Sequence, residues 1–197
     1  MFVSFGRNAD VPRLTVDGQA IDRVEQAKLL GLTISSDLTW SAHVQNIISK
    51  AGKRIYSLYQ MKRAGVTSED LLHIYTVVIR PVLEYACQVW HTCLPAYLTE
   101  SLESVQKRAM RCIFPGMDYA DVLVQHNVTS LFERREAICD KYFKKLLDSS
   151  HKLNYLITKA PTCSYNLRVQ RRYCVPRART NRFKNSFIPA MLRKHNR

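Results

Sequence analysis

The spacing of apolar and polar residues changes along the chain and first marks a short β-rich part, residues 1–36. Three runs there have β-leaning composition: residues 2–5, 13–24 and 27–35. Asp17-Gly18 lies inside the second run, between alternating residues, and is a strong signal for a tight hairpin turn. The pattern predicts three short antiparallel strands. A sheet this small needs another element to cover one of its faces.

From Asp37 to about residue 153 the apolar residues recur at helical spacing. Gly65 and Pro115-Gly116 are expected to end helices. Pro81 should kink or restart the helix in which it lies, because it has no N–H to donate. The residues expected to begin helices are Asp37 or Ser41, Thr67, Pro95 and Ser130, the last forming a capping box with Glu133.

After about Asn154 the periodicity weakens, and residues 154–197 combine three prolines with many arginines. This composition is typical of an extended or partly disordered arm that orders on a partner. The predicted fold class is therefore mainly α, with a small N-terminal antiparallel β-sheet, a helical body and a basic C-terminal arm.

The charge of the chain lies almost entirely at its carboxyl end. The 197 residues carry a net charge of +14, yet residues 1–140 hold 15 basic and 15 acidic side chains, whereas residues 141–197 hold 15 basic side chains and one acidic, Asp148. One-sided positive charge favours a polyanion, because each phosphate that is neutralised releases counterions. Nucleic acid is the predicted partner. A membrane surface is less favoured, since the basic segment lacks a sustained apolar helical face.

The sequence gives little support for a metal site, for catalysis or for a signal peptide. The six cysteines form no Cys-x-x-Cys pair, and the one tight cluster, Cys87, His91 and Cys93, lacks a fourth ligand for zinc. We find no nucleophile–base pair and no glycine-rich phosphate loop, so no cofactor and no small-molecule substrate is predicted. The first residues lack the apolar core of a signal peptide, and no run of eighteen apolar residues exists. The expected location is intracellular, nuclear or cytoplasmic.

One short stretch looks catalytic. Tyr119-Ala120-Asp121 matches the start of the Tyr-Ala-Asp-Asp signature of reverse transcriptases. Two-metal nucleotidyl transfer needs several carboxylates that converge on the cations. The next residue, Val122, has no oxygen to offer, so we interpret Asp121 as an acidic residue near a helix start.

Five longer runs together carry a more specific resemblance: residues 27–63, 71–90, 102–114, 130–146 and 182–196. Their features include a Leu-Gly strand before a Trp and a long basic helix, then a Tyr helix that leads to Arg-Pro and Leu-Glu-Tyr-Ala. In this order they resemble the region after the catalytic palm of non-LTR (LINE-type) retrotransposon reverse transcriptases, on the Jockey/CR1-like side. The resemblance covers roughly residues 2–197.

The resemblance implies that the chain has three segments with different roles. Residues 1–36 would be the remnant of the palm sheet, residues 37–153 a thumb-like bundle with connecting helices, and residues 154–197 a basic arm. In the family the catalytic carboxylates and their Mg²⁺ belong to a palm that precedes this region, so the chain is expected to be inactive alone. It would bind RNA or an RNA–DNA template–primer duplex. Two alternatives stay open: an exapted stand-alone RNA-binding protein, or a non-functional product of a degenerate element.

By the same resemblance Gly31 lies at a primer-grip-like turn, where its backbone would approach the primer; a strand glycine or bulge is the alternative. The other candidate contacts are cations, for which a solvated surface is the alternative. We expect Tyr56 and Tyr59, between the first of these cations, to be core residues. The predicted nucleic-acid-binding cations are Lys50, Lys53, Arg54, Lys62, Arg63, Arg134, Arg135, Lys141, Lys144, Lys145, Arg168, Arg171, Arg172, Arg177, Arg179, Arg182 and Lys184.

Overall fold

A computed structural model describes residues 15–20, 22, 24–160 and 172–196. The chain separates into two compact units, which meet in sequence between His43 and Val44. The smaller unit holds the strands, and the larger unit is helical, as the sequence predicts.

The strands form two hairpins. Asp17 and Gly18 have φ values of 50° and 79° and make the predicted turn of the first hairpin. The run over residues 27–35, expected to be a single strand, instead turns back at Leu30-Gly31, where φ is 46° and 83°. The described residues thus form two separate two-stranded sheets, and the predicted strand over residues 2–5 lies outside the part of the chain that the structure describes. The strands are β1 (Thr15–Val16), β2 (Gln19–Ala20), β3 (Gln26–Leu29) and β4 (Leu32–Ser35).

Helix α1 (Ser41–Arg63) is the longest element. Asp37 lies four residues before the start of this helix, and its carboxylate accepts hydrogen bonds from Ser35 Oγ (2.5 Å) and Thr39 N (3.0 Å) in the preceding turn. Gly65, two residues after the last helical residue, terminates the helix as predicted. Gly65 has a φ of 88°, and the N–H of Val66 reaches back to the carbonyl of Met61 at 3.1 Å, which is the Schellman arrangement.

The next helical segment changes its hydrogen-bonding pattern near Pro81, as the sequence predicts. Thr67 caps α2 (Ser68–Ile74) by accepting from Asp70 N at 3.2 Å. A π-helical turn, Tyr75–Ile79, then leads into α3 (Arg80–Glu84), with Pro81 in its first turn. The proline has no N–H, so the helical ladder has to be rebuilt around it.

The chain from Pro81 to Trp90 is not one continuous helix, in contrast to the sequence pattern. Ala86 adopts the left-handed conformation (φ 50°, ψ 30°) and separates α3 from α4 (Cys87–Trp90). A 3₁₀ turn, His91–Cys93, follows directly. Leu83, Cys87 and Trp90 are buried on both sides of this break. Packing therefore holds a backbone conformation that alanine does not favour.

The three following helices begin and end close to the predicted residues. Helix α5 (Ala96–Ile113) starts after Pro95 and stops before Pro115-Gly116. Helix α6 covers Tyr119–Gln125, and α7 covers Leu131–Leu146. The capping box of α7 is confirmed: Glu133 N donates to Ser130 Oγ at 3.2 Å, and Ser130 N donates to Glu133 Oε2 at 3.3 Å.

The described end of the chain is more ordered than the predicted arm. It contains a 3₁₀ turn, Asn154–Leu156, and helices α8 (Asn181–Asn185) and α9 (Phe187–His195). Met191 and Leu192 of α9 are buried, and α9 packs against α4 and the 3₁₀ turn after it. The expectation of an extended segment was therefore wrong for residues 187–195. A proline within α9 and the many arginines before it made the short amphipathic pattern of this helix difficult to recognise in the sequence.

The core of the helical unit contains Tyr75, Trp90, Phe143 and several leucines and isoleucines, all with an exposed fraction of about zero. It also contains polar side chains, among them Gln106 and Arg135. Of the helices that the structure describes, none has the length and hydropathy needed to cross a membrane.

Candidate nucleic-acid interface

Helix α1 presents a basic face opposite its buried stripe. Val44, Ala51 and Leu58 belong to the stripe, while Lys50 and Lys53 are exposed. The tyrosines on this helix were expected in the core, and that expectation is wrong. Tyr56 is 65% exposed and Tyr59 is 38% exposed. Helix α1 therefore carries two exposed aromatic rings as well as exposed cations.

Helix α5 adds cations to this face that the sequence analysis did not include. A Cβ built on Gly52 of α1 would lie 3.2 Å from Nη2 of Arg108, so the Arg108 guanidinium lies directly over α1. Lys107, Arg108 and Arg111 are all exposed. In the sequence these cations are a basic run within an amphipathic helix. That pattern does not show that the helix packs beside α1. We call the set Lys53, Tyr56, Arg108 and Arg111 the α1–α5 basic surface.

Two predicted cations of α1 have structural contacts. Lys62 Nζ donates to the carbonyl of Ile113 (3.1 Å) and to Ser68 Oγ (3.0 Å). It thus caps the carboxyl end of α5, where carbonyl groups lack helical partners. Arg54 Nη1 donates to the carbonyl of Val78 in the π-helical turn. Arg63, in the last turn of α1, is exposed.

Arg134 and Arg135 differ from each other and from the prediction. Arg134 Nε lies 2.7 Å from Glu84 Oε1, and Arg80 Nε lies 3.5 Å from the same oxygen, as expected for an i, i+4 pair. Arg135 is fully buried, with its guanidinium 5.7 Å from the Trp90 ring and its Nε donating to His91 Nδ1 at 3.3 Å. A phosphate cannot reach Arg135 in this arrangement, so we remove it from the candidate interface.

The lysines of α7 are exposed. Lys141, Lys144 and Lys145 lie opposite the buried residues Phe143 and Leu146. Lys144 and Lys145 are in the last turn of the helix, where positive charge also interacts favourably with the helix dipole. The exposure of these lysines is compatible with phosphate binding. Their favourable interaction with the helix dipole is a second reason for lysine at positions 144 and 145.

The described cations near the carboxyl end are exposed as well: Arg172, Arg177, Arg179, Arg182 and Lys184. Arg168 and Arg171 lie outside the described residues. Phe183 stands between two of these cations and is 46% exposed. Asn196 anchors the segment, since its Oδ1 accepts from the N–H groups of Arg172 (3.0 Å) and Tyr173 (2.9 Å).

The last helix is held on α7 by charged side chains. Lys194 Nζ lies 2.8 Å from Asp140 Oδ2 and 3.4 Å from Glu136 Oε1, and His195 Nε2 lies 3.3 Å from Asp140 Oδ1. Hydrogen bonds from Lys194 and His195 hold the pKa of Asp140 below its usual value, against the opposing effect of burial. Lys194 is therefore an anchor of α9 and not a free phosphate ligand.

Gly31 is a turn residue. With a φ of 83° it follows Leu30, which is 83% exposed, at the tip of the β3–β4 hairpin. The alternative of a regular strand position is therefore wrong, and the proposed approach to a primer stays a prediction.

The stretch Tyr119-Ala120-Asp121, which resembles the catalytic signature, belongs to a capped helix. Asp118 caps α6 by accepting from Ala120 N at 3.2 Å, and Asp121 is exposed in the first turn. Tyr119 donates its hydroxyl to Glu103 Oε1 at 2.5 Å. Within the described residues, no three His, Cys, Asp or Glu side chains are placed to hold a metal ion.

Three curated proteins of Drosophila melanogaster are similar to this chain. The probable RNA-directed DNA polymerase from transposon X-element is 23% identical over 52% of the chain, and that from transposon BS is 24% identical over 64%. The RNA-directed DNA polymerase from mobile element jockey is 23% identical over 71%. The aligned residues make up 11%, 14% and 16% of those proteins, respectively.

No protein-family model matches the chain, and no solved structure matches it significantly. The matches to the mobile-element proteins nevertheless agree with one another, and a jockey polymerase of Drosophila funebris is 22% identical over 70% of the chain. The resemblance inferred from the sequence motifs is confirmed: this chain is homologous, over part of its length, to the RNA-directed DNA polymerases of non-LTR retrotransposons.

Proposed function

We propose that this chain binds RNA or an RNA–DNA template–primer duplex, as the post-palm, thumb-like part of a retrotransposon polymerase. The relatives are RNA-directed DNA polymerases by name, and their substrates are polyanions. The chain supplies cations for the phosphate backbone and exposed rings for unpaired bases. Catalytic carboxylates and their Mg²⁺ would come from the palm of such a polymerase.

The α1–α5 basic surface is the observation that carries this proposal. Gly52 leaves room for the Arg108 guanidinium, so a cation from α5 lies on the same face as the next turn of α1. That turn carries Tyr56, one helical turn after Gly52 and 65% exposed. Lys53, about one turn before Tyr56, adds an exposed positive charge. Phosphate contacts beside a stacking ring are the recurring arrangement for single-stranded nucleic acid and for duplex ends.

A salt-dependence experiment tests this surface. The double variant Lys53→Gln/Arg108→Gln should weaken binding to a primed RNA template. It should also lower the slope of log Kd against log salt by about two, because two phosphates would no longer be neutralised. Fluorescence anisotropy across a salt series measures both quantities.

The matched control is Lys152→Gln/Lys159→Gln, which removes the same charge from two exposed lysines that are not among the predicted nucleic-acid-binding cations. We expect its slope to stay near that of the wild type. Equal losses in the two double variants would mean that net charge alone, and not the α1–α5 basic surface, determines binding.

The same protein separates binding from catalysis. In a primer-extension assay with Mg²⁺ and a primed RNA template, the chain alone should incorporate no nucleotide, because Asp118 and Asp121 are a cap and an exposed helix residue and not a metal-binding pair. Metal-dependent extension by the purified chain would contradict the proposal that it serves binding only.

A further inference from the structure

Helices α4 and α7 place two cysteines against each other in the core. Cys87 and His91 are one helical turn apart on one side, and Arg135 and Cys139 are one turn apart on the other. Arg135 Nε donates to His91 Nδ1 at 3.3 Å. Cys87 and Cys139 also lie close enough to interact, because each thiol shifts the pKa of the other. The two helices therefore meet in two neighbouring pairs, one of them a dithiol.

The cation in this cluster lacks an adequate counter-ion. Arg135 has no exposed surface, and neither Nη atom has a hydrogen-bond partner among the described residues. A buried unpaired charge is costly, so a negative charge nearby would be strongly stabilised. Glu84, Glu103, Cys87 and Cys139 all act on Arg135 electrostatically, but Glu84 already binds Arg134, and Glu103 binds Tyr119. The dithiol is the remaining source of negative charge.

The environment favours ionisation of Cys87 over that of Cys139. The hydrogen bond from Cys139, more than the charge of Arg135, lowers the pKa of Cys87 below its usual value, and burial opposes them. The same hydrogen bond raises the pKa of Cys139, so that thiol keeps its proton. Asp140 also raises the pKa of Cys139, and Lys194 of α9 lowers it. The lowered pKa increases the fraction of Cys87 that is thiolate, and thiolates are the reactive form.

A cavity leads to this pair from outside. It has a volume of about 300 Å³ and is lined by Cys139 and His91 together with Phe132, Met191 and Lys194. A water molecule occupies about 30 Å³ in the liquid, so an oxidant little larger than water fits easily. Cys87 is completely buried and does not line the cavity, so an oxidant in the cavity meets Cys139 first.

We propose that Cys87 and Cys139 form an oxidation-sensitive dithiol, which hydrogen peroxide entering this cavity converts to a disulfide that joins α4 to α7. The thiolate sulfur attacks one peroxide oxygen, the O–O bond breaks, and hydroxide leaves and takes up a proton. The second thiol then attacks the sulfenic sulfur, the S–S bond forms, and water leaves. The thiols lose two electrons and two protons, and peroxide is reduced to two waters. This site is independent of the proposed nucleic-acid function.

Peptide mapping after oxidation tests the proposal in the folded chain. The protein is treated with hydrogen peroxide at neutral pH, alkylated after unfolding and digested, and the peptides are identified by mass spectrometry. We expect a cross-linked Cys87–Cys139 peptide to accumulate at least about tenfold faster than oxidation of Cys112, because reactivity follows thiolate character. Cys112 is the internal control: it is also buried, and burial raises its pKa.

Two variants define the mechanism. Cys139→Ser should abolish the cross-link and leave Cys87 without its resolving thiol. Arg135→Met, which removes the charge at similar length, should slow cross-linking several-fold if the variant keeps the wild-type circular dichroism spectrum. The wild-type measurement decides by itself. The proposal is overturned if the pair oxidises no faster than Cys112, if the cross-link forms only in urea, or if Cys87 pairs with another cysteine.

Discussion

Glu103 and Gln106, on neighbouring turns of α5, organise a polar network inside the helical unit. Gln106 Oε1 accepts from the Tyr75 hydroxyl at 2.7 Å, and its Nε2 donates to Tyr119 Oη at 2.9 Å. Burial raises the pKa of both tyrosines, so their hydroxyls stay protonated and can donate. Each polar group then has a partner, which is the condition under which a buried network stabilises a unique core.

Glu103 is the residue on which this network depends most. Besides the Tyr119 hydroxyl, it accepts from the backbone N–H groups of Leu131 and Phe132, each at 3.3 Å, at the start of α7. Glu103→Ala should therefore lower the free energy of unfolding by about 1–2 kcal/mol, because the part-buried donors on Tyr119 and Leu131 lose this acceptor. Urea denaturation measures the loss. Glu100→Ala, an exposed glutamate on the same helix, should change stability by less than about 0.5 kcal/mol, and equal losses would contradict the role of Glu103.

His91 gives the fold a specific acid sensitivity. Burial, with the positive charges of Arg135 and Lys194, lowers the pKa of His91 from its usual value of 6.5 to about 4. The unfolded chain therefore binds more protons between these values. His91 destabilises the fold as pH falls from 6.5 towards 4, by roughly 2–3 kcal/mol in that window, and has no such effect above it.

The matched variant for this prediction is His91→Asn, in which the amide oxygen can replace Nδ1 as the acceptor for Arg135. The variant also lacks the edge contact with Phe132, a difference that does not depend on pH. We expect the stability of this variant to fall less than that of the wild type between pH 7.5 and 4.5. Parallel pH profiles in urea denaturation would show that His91 is not the group that titrates.

At the scale of elements, the break between α3 and α4 shows how packing overrides local preference. Ala86 has a φ of 50°, a region that costs a residue with a Cβ about 1–2 kcal/mol. The break lets Leu83 and Cys87 both point into the core and lets Trp90 Nε1 donate to the carbonyl of Tyr85 at 3.2 Å. A continuous helix would change the direction of α4 and with it the pairing of Cys87 with α7.

Ala86→Gly should consequently be neutral or stabilising by up to about 1 kcal/mol, because relief of the left-handed strain offsets the greater freedom of glycine in the unfolded chain. Ala137→Gly in the interior of α7 is the control, and it should destabilise by about 1 kcal/mol. Thermal and urea denaturation compare the two. A loss at Ala86 equal to that at Ala137 would indicate that residue 86 is helical in solution.

At the scale of the whole molecule, folding redistributes charge that is concentrated in the sequence. Helix α5 belongs to the electroneutral part of the chain, yet its Arg108 completes the α1–α5 basic surface with α1. In the C-terminal part, Lys194 is used to hold α9 against Asp140 and Glu136. The surface available to a nucleic acid therefore depends on helix packing more than on the linear excess of basic residues.

Several features of this protein were predictable because their causes are local. The Asp17-Gly18 turn, the end of α1 at Gly65 and the capping box of Ser130 with Glu133 are each formed by residues within a few positions of one another. Helical periodicity predicted the mainly α fold, and motifs in their order predicted the relationship to non-LTR polymerases. Leu30 with a positive φ and the helix at Phe187–His195 were missed, since neither has a strong local signal.

The amino-acid sequence by itself determined the helices, most of their ends, the net charge and the family resemblance. Only the tertiary structure decided that Arg135 is buried, that Tyr56 is exposed, that Arg108 lies over Gly52, and that Cys87 meets Cys139. The physical reason is the separation along the chain of the residues that interact. Turns, caps and periodicity arise from hydrogen bonds and steric limits between near neighbours. Burial and pairing depend instead on which helices pack together, and residues far apart along the chain carry no mark of that contact in the sequence.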